Sequence, residues 1–267
     1  MKTVTLKSPA QTHRTVRYGF TLTELLVVIV VIAVLATLRV SMIASAKNQT
    51  KIGQCAANLR QLALVTQIYA NENKDKLPVW SGGNWAWDLP SATASSLLAS
   101  GAQKKTFYCP GTAPRFTDWE NYLAPGTAIN GNPACLWNFG YNAAANTGIH
   151  IIGYVLAFSG PSGSGIALAS TNQNATMLPE PVQISFSGFL RAPASKDRVL
   201  VADATIQDVT SGSFTDVVGG FYLHHLSPHL KGTRPAGGNL AFKDGHVQWR
   251  KFSDMSLRTV QGQNFWW

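Results

Sequence analysis

The sequence is poor in charge and in cysteine. Only 13% of its 267 residues are charged, and it has three cysteines, Cys55, Cys109 and Cys135. A chain of this length can bury a hydrophobic core without disulfides, so a fold that depends on a dense disulfide framework is excluded. If one bridge forms, one cysteine stays unpaired and three pairings are open, with Cys55–Cys109 as a candidate. The alternative is that all three are small buried hydrophobic residues.

Basic residues are not grouped into a block beyond the N-terminus. Lys2, Lys7, Arg14 and Arg17 supply four of the nine net positive charges, and no acidic residue occurs among the first nineteen positions. The other basic residues are scattered, so we expect no nucleic-acid partner. Basic residues ahead of an apolar segment follow the positive-inside rule, which predicts a cytoplasmic N-terminus and an exported remainder.

Known catalytic motifs are also lacking. There is no glycine-rich phosphate loop followed by lysine, and the Gly160–Gly163 stretch lacks the spacing of a nucleophile elbow. We therefore expect no enzymatic activity.

Proline is absent from Phe20 to Leu77, and Gly53 is the only glycine in that interval. This pattern predicts one long helix ending at about residues 69–71. Its first part is almost unbroken apolar sequence, and residues 20–38 as a helix would span roughly 28 Å, close to the hydrocarbon thickness of a bilayer. Residues 20–44 are therefore predicted as the membrane-spanning half. A carboxylate there, Glu24, is costly in lipid and indicates a partner or a function.

The second part of the helix, residues 45–71, is predicted to be amphipathic. Its apolar and small residues recur every three or four positions, which is typical of a helix that packs on a soluble domain. The positions are Ile52, Cys55, Leu59, Leu62, Thr66 and Tyr69.

Residues 79–180 show little periodicity and are predicted to be a variable, loop-rich region. Five tryptophans in this region can fill a core or form a carbohydrate-stacking surface. They are Trp80, Trp85, Trp87, Trp119 and Trp137.

Residues 181–267 carry the clearest strand signals. Residues 182–186 and 198–202 are short apolar runs, and residues 238–243 and 246–252 flank Asp244-Gly245. Asp-Gly between two such runs predicts a hairpin with a type I′ turn. The pattern favours an antiparallel sheet of three or four strands with one face on the helix, and hence an α+β fold.

Histidine and aspartate in the same region suggest a metal site. Imidazole and carboxylate together suit zinc or a similar ion. The spacing fits no closed motif, and the adjacent His224 and His225 would point to opposite faces of a strand, so turn and surface roles are the alternative. The candidate ligands are Asp203, His225, His229, Asp244 and His246.

A small residue, Gly19, lies before the apolar run, whereas a secretory signal has its cleavage site after it. Gly19-Phe20-Thr21-Leu22-Thr23-Glu24 and the following apolar run resemble the class III signal of type IV prepilins and type II secretion pseudopilins. The resemblance implies that a membrane aspartyl peptidase cuts after Gly19 on the cytoplasmic face and N-methylates Phe20. Glu24 then corresponds to the family's fifth-position acid. Paired with the terminal amine of a neighbouring subunit, its carboxylate would set the axial stagger of an assembly.

Downstream elements resemble the same family. Cys109-Pro110, residues 139–142 and Asp244-Gly245-His246-Val247 are similar to elements of a branch whose C-terminal module contains a histidine, nine residues and Asp-Gly. Arg234 stands where that pattern has histidine, so the role of that position does not carry over.

The resemblance implies a pilin-like subunit of a type II secretion or type IV pilus-like filament. Residues 1–19 would be the leader, and residues 45–267 a periplasmic globular domain behind a single inner-membrane span. The expected partners are the prepilin peptidase/methyltransferase and other pilin-like subunits, which bind through the N-terminal helix. Apart from the candidate metal ion, we expect no cofactor. The alternative is a membrane-anchored periplasmic module that uses the prepilin route and binds carbohydrate or metal.

Overall fold

The computed structural model describes thirteen segments of the chain. They are residues 19–79, 87–112, 128–129, 132–133, 136–137, 141–142, 147–158, 177, 182–184, 188–190, 198–218, 224–257 and 263–267. Only the backbone is described at residues 36–44, 128–129, 132–133, 141–142, 147, 182–184, 188–190 and 224. The chain divides into two units, Met1–Ala46 and Lys47–Trp267.

A single long helix, α1, covers Leu22–Glu72, which confirms the predicted N-terminal helix. It ends where Lys74 and Asp75 adopt left-handed backbone conformations with φ of 56° and 62°. The amide of Asp75 donates to the carbonyl of Ala70 at 2.8 Å, which closes the last turn. Helical termination therefore falls in the polar segment that follows Tyr69.

The first unit contains the apolar half of α1. Every large apolar side chain described from Phe20 to Leu35 is exposed, from 45% at Val28 to 79% at Leu22. Among the described residues, no helix is both long enough and apolar enough to cross a membrane, so the span at residues 20–44 stays a prediction.

The second unit contains the remaining helices and the strands. A short helix, α2, covers Ser91–Ala99, and 3-10 helices cover Lys104–Phe107, Pro110–Thr112 and Phe252–Asp254. The strands are β1 (Asp88–Pro90), β2 (Ala128–Ile129), β3 (Asn132–Pro133), β4 (Tyr141–Asn142), β5 (Thr147–Ile151), β6 (Tyr154–Leu156), β7 (Val182–Ile184), β8 (Gly188–Leu190), β9 (Val199–Asp203), β10 (Ile206–Gln207), β11 (Val217–Val218), β12 (His224–His225), β13 (Leu230–Lys231), β14 (Arg234–Pro235), β15 (Gly237–Phe242), β16 (Val247–Lys251) and β17 (Asn264–Phe265).

The largest sheet of the described residues has four antiparallel strands in the order β16-β15-β9-β6. Every residue of β9 and of β15 is buried, so neither strand shows the alternation of apolar and polar residues that is typical of a half-exposed strand. Strand β6 comes from the region predicted to be loop-rich, so the sheet is not built from residues 181–267 alone. The mixed helix and antiparallel-sheet class is confirmed.

A smaller antiparallel sheet has the order β1-β5-β4, and the other described strands form two-stranded pairs. Two of the five tryptophans lie in the core: Trp87 and Trp137 are 1% and 4% exposed. These two rings therefore fill the interior and do not offer a stacking surface. Trp80, Trp85 and Trp119 lie outside the described residues.

The second half of α1 packs within this unit. Its buried positions include Cys55, Leu59, Leu62 and Thr66, which follow the three-and-four spacing of the sequence. The side chain of Asn239 in β15 donates to the carbonyl of Ile52 at 3.2 Å, which joins α1 to the central strand of the sheet.

The β15–β16 hairpin forms at Asp244-Gly245, but its turn differs from the predicted type I′. The amide of Gly245 donates to the carbonyl of Phe242 at 2.9 Å, and Gly245 alone in the turn has a left-handed φ, of 87°. A type I′ turn needs two central residues with positive φ, whereas here Lys243 and Asp244 precede the left-handed glycine. The turn is therefore type I followed by a glycine bulge.

We expect opposite effects from alanine at two glycines. A Cβ on Gly237 would lie 2.2 Å from the backbone oxygen of Arg250, whereas a Cβ on Gly53 in α1 meets no atom within 4 Å. Gly237→Ala should therefore destabilise the protein by about 1–3 kcal/mol through the forced backbone shift. Gly53→Ala should stabilise it by about 0.5–1 kcal/mol through helix propensity. Urea unfolding of the full chain in detergent measures both changes, and equal effects of the two substitutions would contradict the packing described here.

Candidate functional site

The N-terminus of α1 carries the predicted processing residues. Gly19, Phe20 and Thr21 precede the helix and are exposed, with Phe20 at 74%. A Cβ on Gly19 would meet nothing within 4 Å, and its φ lies outside the left-handed range. Neither space nor backbone conformation in the folded chain requires glycine at this position.

Glu24 forms a capping box with Thr21. The amide of Thr21 donates to Oε2 of Glu24 at 2.9 Å, and the amide of Glu24 donates to Oγ1 of Thr21 at 3.2 Å. The Thr21 hydroxyl donates a third bond to the same Oε2 at 2.6 Å. Thr21 is therefore the N-cap and Glu24 the third helical residue, a reciprocal arrangement that satisfies two free amides of the first turn. All of these groups follow the Gly19–Phe20 bond, so cleavage there leaves the cap intact.

The cap leaves one carboxylate oxygen of Glu24 available. Both bonds from Thr21 end on Oε2, and no described residue donates to Oε1. The side chain is exposed. A cation brought by another molecule can therefore reach Glu24 without breaking the cap.

A second cluster lies in the interior of the globular unit. The donor atoms of Cys55, Cys109, Asp203 and His229 all lie within 4.8 Å of one another, and all four residues are buried. Cys55 comes from α1, Cys109 from the segment between two 3-10 helices, Asp203 from the end of β9, and His229 from the residue before β13.

Asp203 is at the centre of this cluster. The thiol of Cys55 donates to its Oδ1 at 2.9 Å, and the amide of Asn239 donates to its Oδ2 at 2.6 Å. The imidazole Nε2 of His229 lies 3.4 Å from the same Oδ2. Strand register accounts for this position, because Asp203 pairs with Tyr154 of β6 on one side and its neighbour Ala202 pairs with Leu240 of β15 on the other.

The two thiols complete the cluster. Sγ of Cys109 lies 3.4 Å from Nε2 of His229 and accepts a hydrogen bond from the amide of Gly111 at 3.3 Å. The hydroxyl of Tyr154 donates to Sγ of Cys55 at 3.6 Å. Both cysteines are free, so the candidate disulfide between Cys55 and Cys109 is not formed in this structure. Cys135 lies outside the described residues.

Burial and charge shift the protonation equilibria of the cluster. Burial raises the pKa of Cys55 well above its usual range and also raises that of Cys109. Burial alone would lower the pKa of His229, but its interactions with Asp203 and Cys55 outweigh burial and raise it to about 10. In the absence of a bound cation, the cluster therefore consists of neutral thiols and a protonated His229.

The structure brings together two of the five predicted metal ligands, Asp203 and His229. Asp244 and His246 form an exposed pair within the hairpin turn, 2.5 Å apart, and the His246 ring stacks on Phe242. The turn explains their proximity to each other and places them outside the cluster. The structure therefore does not bring these two predicted ligands to Asp203 and His229.

His225 also lies apart from the cluster. Its ring is buried with its centroid 5.0 Å from that of Trp87, and its Nδ1 contacts the carbonyl of Leu226 at 2.9 Å. Sequence reasoning treated Cys55 and Cys109 only as a disulfide or as hydrophobic residues, and so missed them as ligands. The signal that could have found them was the presence of free thiols in the same chain as the histidine-rich segment.

One family model matches the chain, at residues 14–38, and it describes a prokaryotic N-terminal methylation motif. No match was found among curated proteins or among solved structures. The motif supports a pilin-like protein that is processed as a prepilin and assembles with other pilin-like subunits. The matched region ends before the globular unit, so the resemblance of the C-terminal module remains a prediction.

We expect His225 to make the protein less stable in mild acid. Burial lowers its pKa to about 3, so the folded state resists a proton that the unfolded chain accepts at about 6.5. Its contribution is complete above pH 6.5 and is lost as the pH falls toward 3, with a loss of about 2 kcal/mol at pH 5. Urea unfolding of the full chain in detergent at pH 7 and pH 5 should show a smaller pH dependence for His225→Phe than for the parent.

The exposed His246 provides the control for this comparison. His246→Gln removes an exposed imidazole at the hairpin turn and leaves the buried His225 in place, so it shows how much the loss of a surface histidine changes the measurement. The raised pKa of His229 acts with the opposite sign, since its contribution is complete below 6.5 and is lost as the pH rises toward 10. It is present in all three proteins and cancels in the comparison. If the free energy of unfolding changes equally with pH in the parent and in His225→Phe, His225 is not a histidine that the fold holds in its neutral form.

Proposed function

We propose that this chain is a prepilin-processed, pilin-like subunit of a type II secretion or type IV pilus-like filament. The observation that carries the proposal is the methylation motif at residues 14–38 together with the exposed Gly19–Phe20 bond directly ahead of α1. Cleavage would leave N-methylated Phe20 at the start of the mature chain and the whole of α1 attached to the globular unit.

The apolar half of α1 supports a role in assembly. Twelve large apolar side chains from Phe20 to Leu35 are at least 45% exposed. Full burial of such a side chain contributes roughly 1.5–3 kcal/mol, so an isolated helix of this composition would be strongly disfavoured in water. Bilayer lipid before assembly and the helices of other subunits afterwards would each cover it. We propose a single inner-membrane anchor at residues 20–44, with the N-terminus cytoplasmic and the globular unit periplasmic.

Glu24 would fix the register of that assembly. Its Oε1 is available while the capping box holds Oε2, so the methylated amine of a neighbouring subunit's N-terminus can pair with it. Ion pairing keeps a carboxylate charged in apolar surroundings, and one such pair per subunit would define the axial offset. In this role the chain is structural and has no catalytic activity of its own.

Processing is tested by the mass of the mature protein. In a host that carries a prepilin peptidase, the mature chain should begin at N-methyl-Phe20. Gly19→Val should remain at the unprocessed mass, since a branched side chain obstructs the peptidase while the chain itself has space for it. A mature chain that begins at Met1, or after residue 38, would remove the pilin-like assignment.

The role of Glu24 is tested by two substitutions that separate its cap from its charge. Glu24→Gln keeps a side chain that can complete the capping box but removes the charge, whereas Glu24→Ala removes both. Both variants should enter the membrane, and both should show an at least tenfold loss of subunit crosslinks, equivalent to about 1.4 kcal/mol. If Glu24→Gln assembles like the parent and only Glu24→Ala fails, the cap is the function of Glu24 and the register role is wrong.

A further inference from the structure

We propose that Cys55, Cys109, Asp203 and His229 bind one zinc ion inside the globular unit, which ties α1 to the central sheet. The four donor atoms lie within 4.8 Å of one another and come from four separate segments of the chain. This inference goes beyond the assembly role and does not depend on it, because none of the four residues belongs to the processing motif.

Two of the donor-atom separations match those around a tetrahedral ion, and all of them lie within 4.8 Å. Ligands held 2.0–2.3 Å from a tetrahedral centre lie about 3.3–3.8 Å from one another. Nε2 of His229 is 3.4 Å from Sγ of Cys109 and 3.4 Å from Oδ2 of Asp203. Sγ of Cys55 is 2.9 Å from Oδ1 of Asp203, which is the distance of a thiol hydrogen bond. Zinc would replace that thiol proton. The distance between Sγ of Cys55 and Oδ1 of Asp203 would then need to increase by less than about 1 Å to reach the tetrahedral range.

The types of donor select the metal. Two sulfurs, one imidazole nitrogen and one carboxylate oxygen suit zinc, whereas magnesium and calcium prefer oxygen ligands alone. The thiols bind as thiolates and His229 binds as a neutral imidazole, so entry of the ion releases two thiol protons and the proton on Nε2 of His229. All four residues are buried, which predicts a closed structural site in place of a catalytic one with an open position.

Hydrogen bonds from surrounding groups hold three of the four ligands. The amide of Gly111 donates to Sγ of Cys109, and the hydroxyl of Tyr154 donates to Sγ of Cys55. The amide of Asn239 donates to Oδ2 of Asp203. Donors of this kind orient metal ligands and stabilise their negative charge, as expected around a zinc site.

The fourth ligand, His229, is held by the backbone around it. His229 has a left-handed φ of 53°, which is costly for a residue with a side chain. A Cβ on Gly111 would lie 2.8 Å from Nδ1 and Cε1 of the same ring, so only glycine allows the ring to lie against that segment. The left-handed backbone of His229 and the absence of a Cβ on Gly111 together allow Nε2 of His229 to lie beside the two thiols and the carboxylate.

Two arrangements without metal compete with this site. The side chains can remain a hydrogen-bonded network of protonated thiols around the histidine–aspartate pair. Oxidation can instead join Cys55 and Cys109, because their sulfurs lie within the same 4.8 Å and an exported unit meets oxidising conditions. Both alternatives predict no bound zinc, so metal content separates them from the proposal.

The experiment uses the full chain, purified in detergent without chelators or added metal. Elemental analysis should find about one zinc per chain, and free-thiol titration after unfolding with a chelator should show Cys55 and Cys109 reduced. Replacement of zinc by cobalt should produce the sulfur-to-cobalt charge-transfer band and the intense visible bands of a tetrahedral thiolate site. Cys109→Ser should lower the zinc content at least fivefold, whereas His246→Gln, at the exposed turn, should bind zinc like the parent.

The measurements on the parent chain decide the proposal even if Cys109→Ser fails to fold. Less than about one tenth of an equivalent of zinc would overturn it, and so would a Cys55–Cys109 disulfide in the purified protein. Stoichiometric copper in place of zinc, or cobalt bands typical of octahedral oxygen coordination, would overturn the assignment of the ion. Loss of zinc in His246→Gln with retention in a folded Cys109→Ser would overturn the assignment of the ligands.

Discussion

Asp203 imposes the strongest constraint on the globular unit, because a buried carboxylate must be compensated by neighbouring groups. It is 1% exposed at the end of an entirely buried strand. Each group that compensates it comes from a different part of the fold: Cys55 from α1, the Asn239 amide from β15, and His229 from the segment before β13. A change in the position of α1 or of the adjacent strand would remove one of these three partners. The requirement therefore fixes the helix on the sheet more specifically than apolar burial alone.

The N-terminal half of α1 differs from the C-terminal half in how its apolar side chains are covered. The apolar side chains from Phe20 to Leu35 are exposed in the single chain, whereas Cys55, Leu59 and Leu62 are in the core. In the proposed role, lipid or other subunits would cover the first half of α1, whereas the second half is covered by its own chain. A change in what covers the first half would then leave the core around the second half intact.

Sequence reasoning predicted the parts of the fold that depend on local pattern. The helix followed from the absence of proline between Phe20 and Leu77, and the hairpin from Asp244-Gly245, because such preferences act within a few residues. The turn type was wrong, since Asp-Gly fits both a type I′ turn and a type I turn with a glycine bulge. Strand β6 was not assigned to the main sheet, because three residues, Tyr154–Leu156, carry too little periodicity to show which strand they pair with.

The candidate sites differ in predictability for the same reason. Gly19, Phe20 and Glu24 lie within six residues, and their spacing alone identifies the motif. Cys55 and Asp203 are 148 residues apart, and Cys109 and His229 are 120 apart, so no local pattern relates them. His246 and Asp244 were attractive candidates because they are neighbours in sequence, yet the turn that makes them neighbours also holds them at the surface.

The long separations in the cluster also determine what a bound ion would contribute. In the unfolded chain, segments 148 and 120 residues apart meet rarely, so an ion that holds them closes long loops at little cost to the native state. A disulfide between Cys55 and Cys109 would join only α1 and the segment after Phe107. It would also remove the contacts of the two thiols with Asp203 and His229. An ion would engage all four side chains at once, including the carboxylate on which the packing depends. The residue that joins the elements of the fold would, by this argument, also be a ligand of the ion.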